Sequence, residues 1–145
     1  MNCQEFEQLR DLPGKWVTAE IRFAAVKGAS PNLIFGEVAV ENSLGVEVVL
    51  NGTYKPGLPA VTFNFVVRGT GPICRVTVNG TPHKEAGRTH KNDLRREEDS
   101  RLNLPTAVTR PDLEGKTARE VWATLCQQAN IEHVGEFHPP EEASS

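Results

Sequence analysis

Between Trp16 and Asn79 apolar residues recur at alternate positions, in runs separated by clusters of Gly, Pro, Asn and Ser. This pattern constrains the fold more than any other feature, because a period of two puts successive side chains on opposite faces of a strand. Val17, Ala19, Ile21, Phe23 and Ala25 share one face of a long first strand, with Thr18, Glu20 and Arg22 opposite. The alternation resumes at Ile34, Val38 and Val40, again at Val46, Val48 and Leu50, then at Val61, Phe63, Phe65 and Val67, and finally at Cys74, Val76 and Val78. The joints between these runs are short, whereas parallel pairing would need a crossover of about a dozen residues, so the pattern predicts an antiparallel meander of about five strands.

A helix is expected on each side of this sheet in the sequence. Cys3, Phe6, Leu9 and Leu12 recur at intervals of three, with Asn2 and Glu5 as a capping pair, and Pro13-Gly14 ends the segment. Near the C-terminus Thr117 and Glu120 form a second capping box, followed by Val121, Leu125 and Ala129 as an apolar stripe with Trp122 beside it. The expected fold is therefore α+β, with both helices on one face of the sheet. Residues 1–138 form its single domain and 139–145 a disordered tail. From Gly80 to about Asn103 no period is visible, and a connection of that length points to function or mobility.

Composition narrows the function classes. The chain has 145 residues and a formal net charge of -3, which argues against a nucleic-acid binder that uses its whole surface. Acidic residues gather after Pro111, whereas basic and acidic side chains nearly balance between His83 and Arg101. No apolar stretch is long enough to cross a bilayer, and the N-terminus has no apolar signal core. Cys3, Cys74 and Cys126 lack any metal-site or redox spacing, so they are expected to be free thiols in a reducing, cytoplasmic setting. There is no Walker lysine loop, dinucleotide fingerprint or GxSxG elbow, and no cofactor or metal is expected.

With one sheet face covered by helices, the other carries Thr18, Glu20, Arg22, Glu37, Glu47, Thr62, Asn64, Arg68, Arg75, Thr77 and Asn79. This face is either a solvated back or the floor of a groove under the long connection. The densest reactive set lies at its end, in Arg75 to His83 and Arg88-Thr89-His90-Lys91. Two imidazoles beside cations suit metal-independent phosphoryl transfer. His83 and His90 would act as acid and base, Arg75 and Lys91 would bind phosphate, and Asn79 would orient a histidine. Metal binding is an alternative use of the pair, with Glu85, Asp93, His133 or His138 as a third ligand. His133 and His138 otherwise read as flanking a short terminal strand.

At these residues the chain resembles a group of small bacterial and phage-borne proteins. In that group a β-rich half ends in Arg-x-x-x-Asn-Gly-x-x-His, a nearby loop carries further histidines, and a late helix ends in Asn-Ile. The matching stretches are Arg75 to His83, Thr89-His90, and Leu125 to Ile131. The group's second loop histidine is replaced by Asn92, which counts against a mechanism needing three histidines. The resemblance implies a compact domain with a special Arg/Asn/His corner and no particular activity. The expectations are thus a phosphate-bearing small molecule or RNA held, and in one version cleaved, at that corner, or a non-enzymatic, inhibitor-like or antitoxin-like module that docks on a protein partner through its acidic C-terminal segment, suited to a basic surface, or through an exposed sheet face.

Overall fold

The computed structural model describes residues 3–25, 31–79, 90–93 and 107–143. The element order is α1 (Cys3–Asp11), β1 (Lys15–Val17), β2 (Ile21–Arg22), β3 (Ala24–Ala25), β4 (Leu33–Val40), β5 (Val48–Lys55), β6 (Ala60–Val67), β7 (Gly71–Val78), β8 (His90–Asp93) and β9 (Ala107–Thr109). A 3-10 turn (Pro111–Leu113), α2 (Ala118–Gln128), β10 (Ile131–His133), β11 (Phe137–His138) and α3 (Pro140–Ala143) follow. Strands β3 to β7 form the expected antiparallel meander, and β8 and β9 extend it to seven strands in chain order.

Helices α1 and α2 both pack on the face made by Phe35, Val38, Val40, Leu50, Phe63 and Val76. The Trp122 indole stacks on Phe63 with ring centroids 5.6 Å apart, and Phe63 in turn joins Phe23, Phe35 and Phe137 in a cluster of tilted and edge-on rings. The capping box at Thr117 is formed in both directions: the Glu120 N–H donates to Thr117 Oγ1 at 3.3 Å, and the Thr117 N–H donates to Glu120 Oε1 at 3.0 Å. Gly52, in the middle of β5, makes room for this core. A Cβ there would run into the Phe35 ring and come within 2.8 Å of the Thr62 carbonyl oxygen.

Four expectations need correction. The first long strand is broken into β1, β2 and β3, because its middle, Thr18 to Glu20, is drawn toward the C-terminal segment. There β1 and β2 pair in parallel with β10 and β11, while the His133 ring Nε2 lies 2.9 Å from the Ala19 carbonyl oxygen. The same N-terminal stretch keeps an antiparallel course along β4, bridging at Trp16 to Glu41 just past its end and pairing with it at Ala24–Ile34. Ile34 does not share a face with Val38: it is 42% exposed while Phe35 is buried, because a bulge between Phe35 and Val38 shifts the alternation. Residues 90–93 lie within the connection read as aperiodic, yet form β8. The tail expected from 139 begins with the ordered turn of α3, whose Pro140 is buried and whose Glu141 accepts the Ala118 N–H at 2.8 Å.

Candidate anion site on the far face of the sheet

The register of β5 to β9 turns scattered polar residues into two rows. Asn51 pairs with Asn64, Asn64 with Arg75, and Arg75 with Asn92. One step along, Thr53 pairs with Thr62, Thr62 with Thr77, Thr77 with His90, and His90 with Thr109. Partners directly opposite in an antiparallel ladder share a face with Cβ atoms about 4.5–5.5 Å apart. The hydroxyls of Thr62 and Thr77 meet at 3.2 Å. Alternation explains the face: Val61, Phe63, Phe65 and Val76 enter the core, so Thr62, Asn64, Arg75 and Thr77 point away from the helices.

This polar floor is only partly solvated. Asn51, Thr53, Thr62, Asn64 and Arg75 are half-buried and Thr77 is buried. Its electrostatics are set by Arg75. The other described arginines have acceptors: Arg10 holds Asp11, Arg22 holds Glu20, Arg68 holds Glu37 and Glu47, Arg110 holds Asp112, and Arg119 donates to the Phe137 carbonyl. Among the described residues no carboxylate pairs with Arg75. Its register partner Asn64 has a buried Oδ1 that accepts no hydrogen bond. A buried acceptor left unmade costs about 1–3 kcal/mol. Among the described residues, a donor lacking an acceptor thus sits beside an acceptor lacking a donor.

The sequence-derived corner is divided by the fold. Arg75 lies on this face, and the His90 backbone pairs with that of Thr77, two positions along β7 from the Arg75–Asn92 pair. Lys91 does not join Arg75: it pairs with Val76 and lines a cavity on the helix side, because consecutive strand residues take opposite faces. Asn79 closes β7 in a left-handed conformation, φ 61°, and its Nδ2 donates to the Pro59 carbonyl at 3.2 Å, tying the end of β7 to the turn before β6. His83 and Glu85 lie outside the described residues.

The remaining histidines have structural partners. Trp122 Nε1–H donates to His133 Nδ1 at 3.0 Å, which leaves the His133 Nε2–H for the Ala19 carbonyl. His133 and His138 end β10 and β11 respectively. His138 Nε2 lies 3.0 Å from Glu20 and 3.3 Å from Glu136. Arg22 reaches both Glu20 and His138, and the Glu20 carboxyl is held below its usual range, first by Arg22 and then by His138. A guanidinium already occupies the position a cation would compete for. Asn51 escaped the sequence reading, which did not follow the polar phase of β5 opposite Val48 and Leu50.

No family model matches the chain, and neither a curated protein nor a solved structure does.

Proposed function

We propose that the chain is a cytoplasmic protein that binds a phosphate-bearing ligand, nucleotide or RNA, on the far face of its sheet. The observation that carries this reading is Arg75, half-buried and with no carboxylate partner among the described residues, beside an Asn64 Oδ1 that finds no donor among them. A guanidinium fork matches a phosphate, and the amide oxygen takes the hydroxyl or amine that flanks phosphate in a nucleotide. The Thr53, Thr62 and Thr77 hydroxyls offer further donors and acceptors. Lys91 has no part in this site. In the catalytic form of the reading, His90 and His83 act as the proton acceptor and donor of phosphodiester cleavage. Cys74 and Cys126 are not joined in a disulfide, which suits a reducing compartment.

The test is 15N-resolved NMR of the Asn51, Asn64 and Arg75 side chains during titration with inorganic phosphate, mononucleotides and short RNA. Nucleotide or RNA should shift all three. Arg75→Gln should weaken binding by roughly tenfold, the equivalent of about 1.4 kcal/mol, at an unchanged urea midpoint. Side chains that ignore every ligand, or a variant that binds as well as the parent, overturn the reading. Cleavage of the RNA that is lost in both His83→Gln and His90→Gln supports the catalytic form.

A second reading, a non-enzymatic module that docks on a basic protein surface, draws on the opposite edge of the sheet. Among the described residues β10 pairs only with β1, and exposed Glu132 within it and Val134 and Glu136 just after it line this edge. Silence toward all phosphate ligands, with loss of partner binding in Glu132→Lys/Glu136→Lys, selects it.

A further inference from the structure

Strand β1 runs between the end of β4 and β10, and its register sets three side chains in a row on the solvent side. Trp16 bridges Glu41 through its backbone: the Trp16 N–H donates to the Glu41 carbonyl at 3.0 Å, and the Glu41 N–H to the Trp16 carbonyl at 2.8 Å. On its other side Trp16 pairs in register with Glu132 of β10. Register partners share a face, and all three residues are exposed, while Lys15 and Val17 on either side of Trp16 are buried. Trp16 is 37% exposed, against 3% for Trp122 in the core.

This row carries uncompensated negative charge. Neither the Glu41 nor the Glu132 carboxylate has a partner among the described residues, whereas Glu20, Glu37, Glu47 and Glu136 each face an arginine or a histidine. The next positions on the same face, Thr18, Ala39 and Val134, bring no charge. Lys15, the adjacent cation, is buried and donates to the Arg10 and Leu12 carbonyls. A hollow of about 410 Å3 lies against Trp16, with Asn130, Glu132 and Val134 among its walls.

An exposed indole flanked by two unpaired carboxylates attracts a cation. A guanidinium suits it better than an ammonium: it is planar, it stacks on an aromatic ring, and its five donors fork toward two acceptors at once. Glu41 and Glu132 stand two strand spacings apart, roughly 10 Å between backbones, a gap that a guanidinium and the two carboxylate arms fill. We infer that this row docks an arginine side chain of a protein partner, its guanidinium on Trp16 between Glu41 and Glu132 and its methylene stem along Val134. The inference rests on the second reading above for the existence of a partner, and it names the group that the partner presents.

The peptide acetyl-Gly-Arg-Gly-Arg-Gly-amide tests this, read by NMR of the two indole N–H groups and the Glu132 and Val134 amides. The Trp16 indole should shift saturably and that of Trp122 should stay in place. The lysine counterpart should bind about threefold more weakly, and the citrulline counterpart, which keeps the shape without the charge, should leave Trp16 unmoved. Glu41→Gln and Glu132→Gln should each weaken the arginine peptide about threefold at an unchanged urea midpoint. Trp16→Leu should weaken it by a similar factor, and Glu114→Gln, an exposed carboxylate elsewhere, should change nothing. A Trp16 indole that ignores the peptide, lysine or citrulline binding as tightly as arginine, or Glu41→Gln at full affinity would each overturn the inference. Peptide binding that depends on Glu136 but not on Glu41 leaves the second reading in place and sinks this one.

Discussion

A lysine ammonium placed under a core loses hydration that its neighbours only partly return. Lys15 is 4% exposed, and its ammonium caps the end of α1 through the Arg10 and Leu12 carbonyls, which have no partner within the helix. Burial pulls its pKa from the ordinary 10.5 down to about 8, with the Asp11 carboxylate opposing the shift. The unfolded chain therefore holds this proton more tightly than the folded one, and proton loss favours folding. Stability contributed by Lys15 should rise as pH climbs from about 8 toward about 10.5. Urea midpoints compared across that window should climb in the parent relative to Lys15→Met, and parallel curves for the two proteins would refute the assignment.

Among the elements, the parallel ribbon of β1–β2 with β10–β11 depends on one close approach. Gly135 sits at the break between β10 and β11, where a Cβ would come within 2.5 Å of the Ala19 carbonyl oxygen and 2.6 Å of that of Thr18. Gly135→Ala should lower stability by about 1–3 kcal/mol, as overpacking does elsewhere, read as a lower urea midpoint at unchanged slope. Nothing in Val134-Gly135-Glu136 announces this, because the constraint comes from residues more than a hundred positions away. The meander, by contrast, was legible: Phe63 and Phe65 alternate with Thr62 and Asn64, and each element carries its own period. The Thr117 capping box was legible for the same reason, being local. The bulge after Phe35 was not, since alternation alone cannot say where a strand skips a step. At the candidate site, Arg75 and His90 stood out by chemical type. The separation of Lys91 from them also follows from parity, once β8 is known to be a strand.

Across the whole molecule, the first and last thirds of the chain close the same edge. Phe137 packs in the ring cluster, Ile131 lines the core, and Trp122 is bonded to His133 of β10. Removing residues 131–143 should therefore abolish cooperative unfolding rather than merely lower the midpoint, visible as loss of a sigmoidal urea transition in Trp fluorescence.

The parallel course of that ribbon also decides how the protein meets mechanical force. Tension applied through the residues ahead of Lys15 and beyond His138 drags two parallel strands in opposite directions along their length. The backbone bonds between them, Val134 N–H to the Val17 carbonyl and Ile21 N–H to the Glu136 carbonyl among others, are then sheared together rather than peeled one at a time. A chain held by its two ends is thereby locked at the point where the pull arrives.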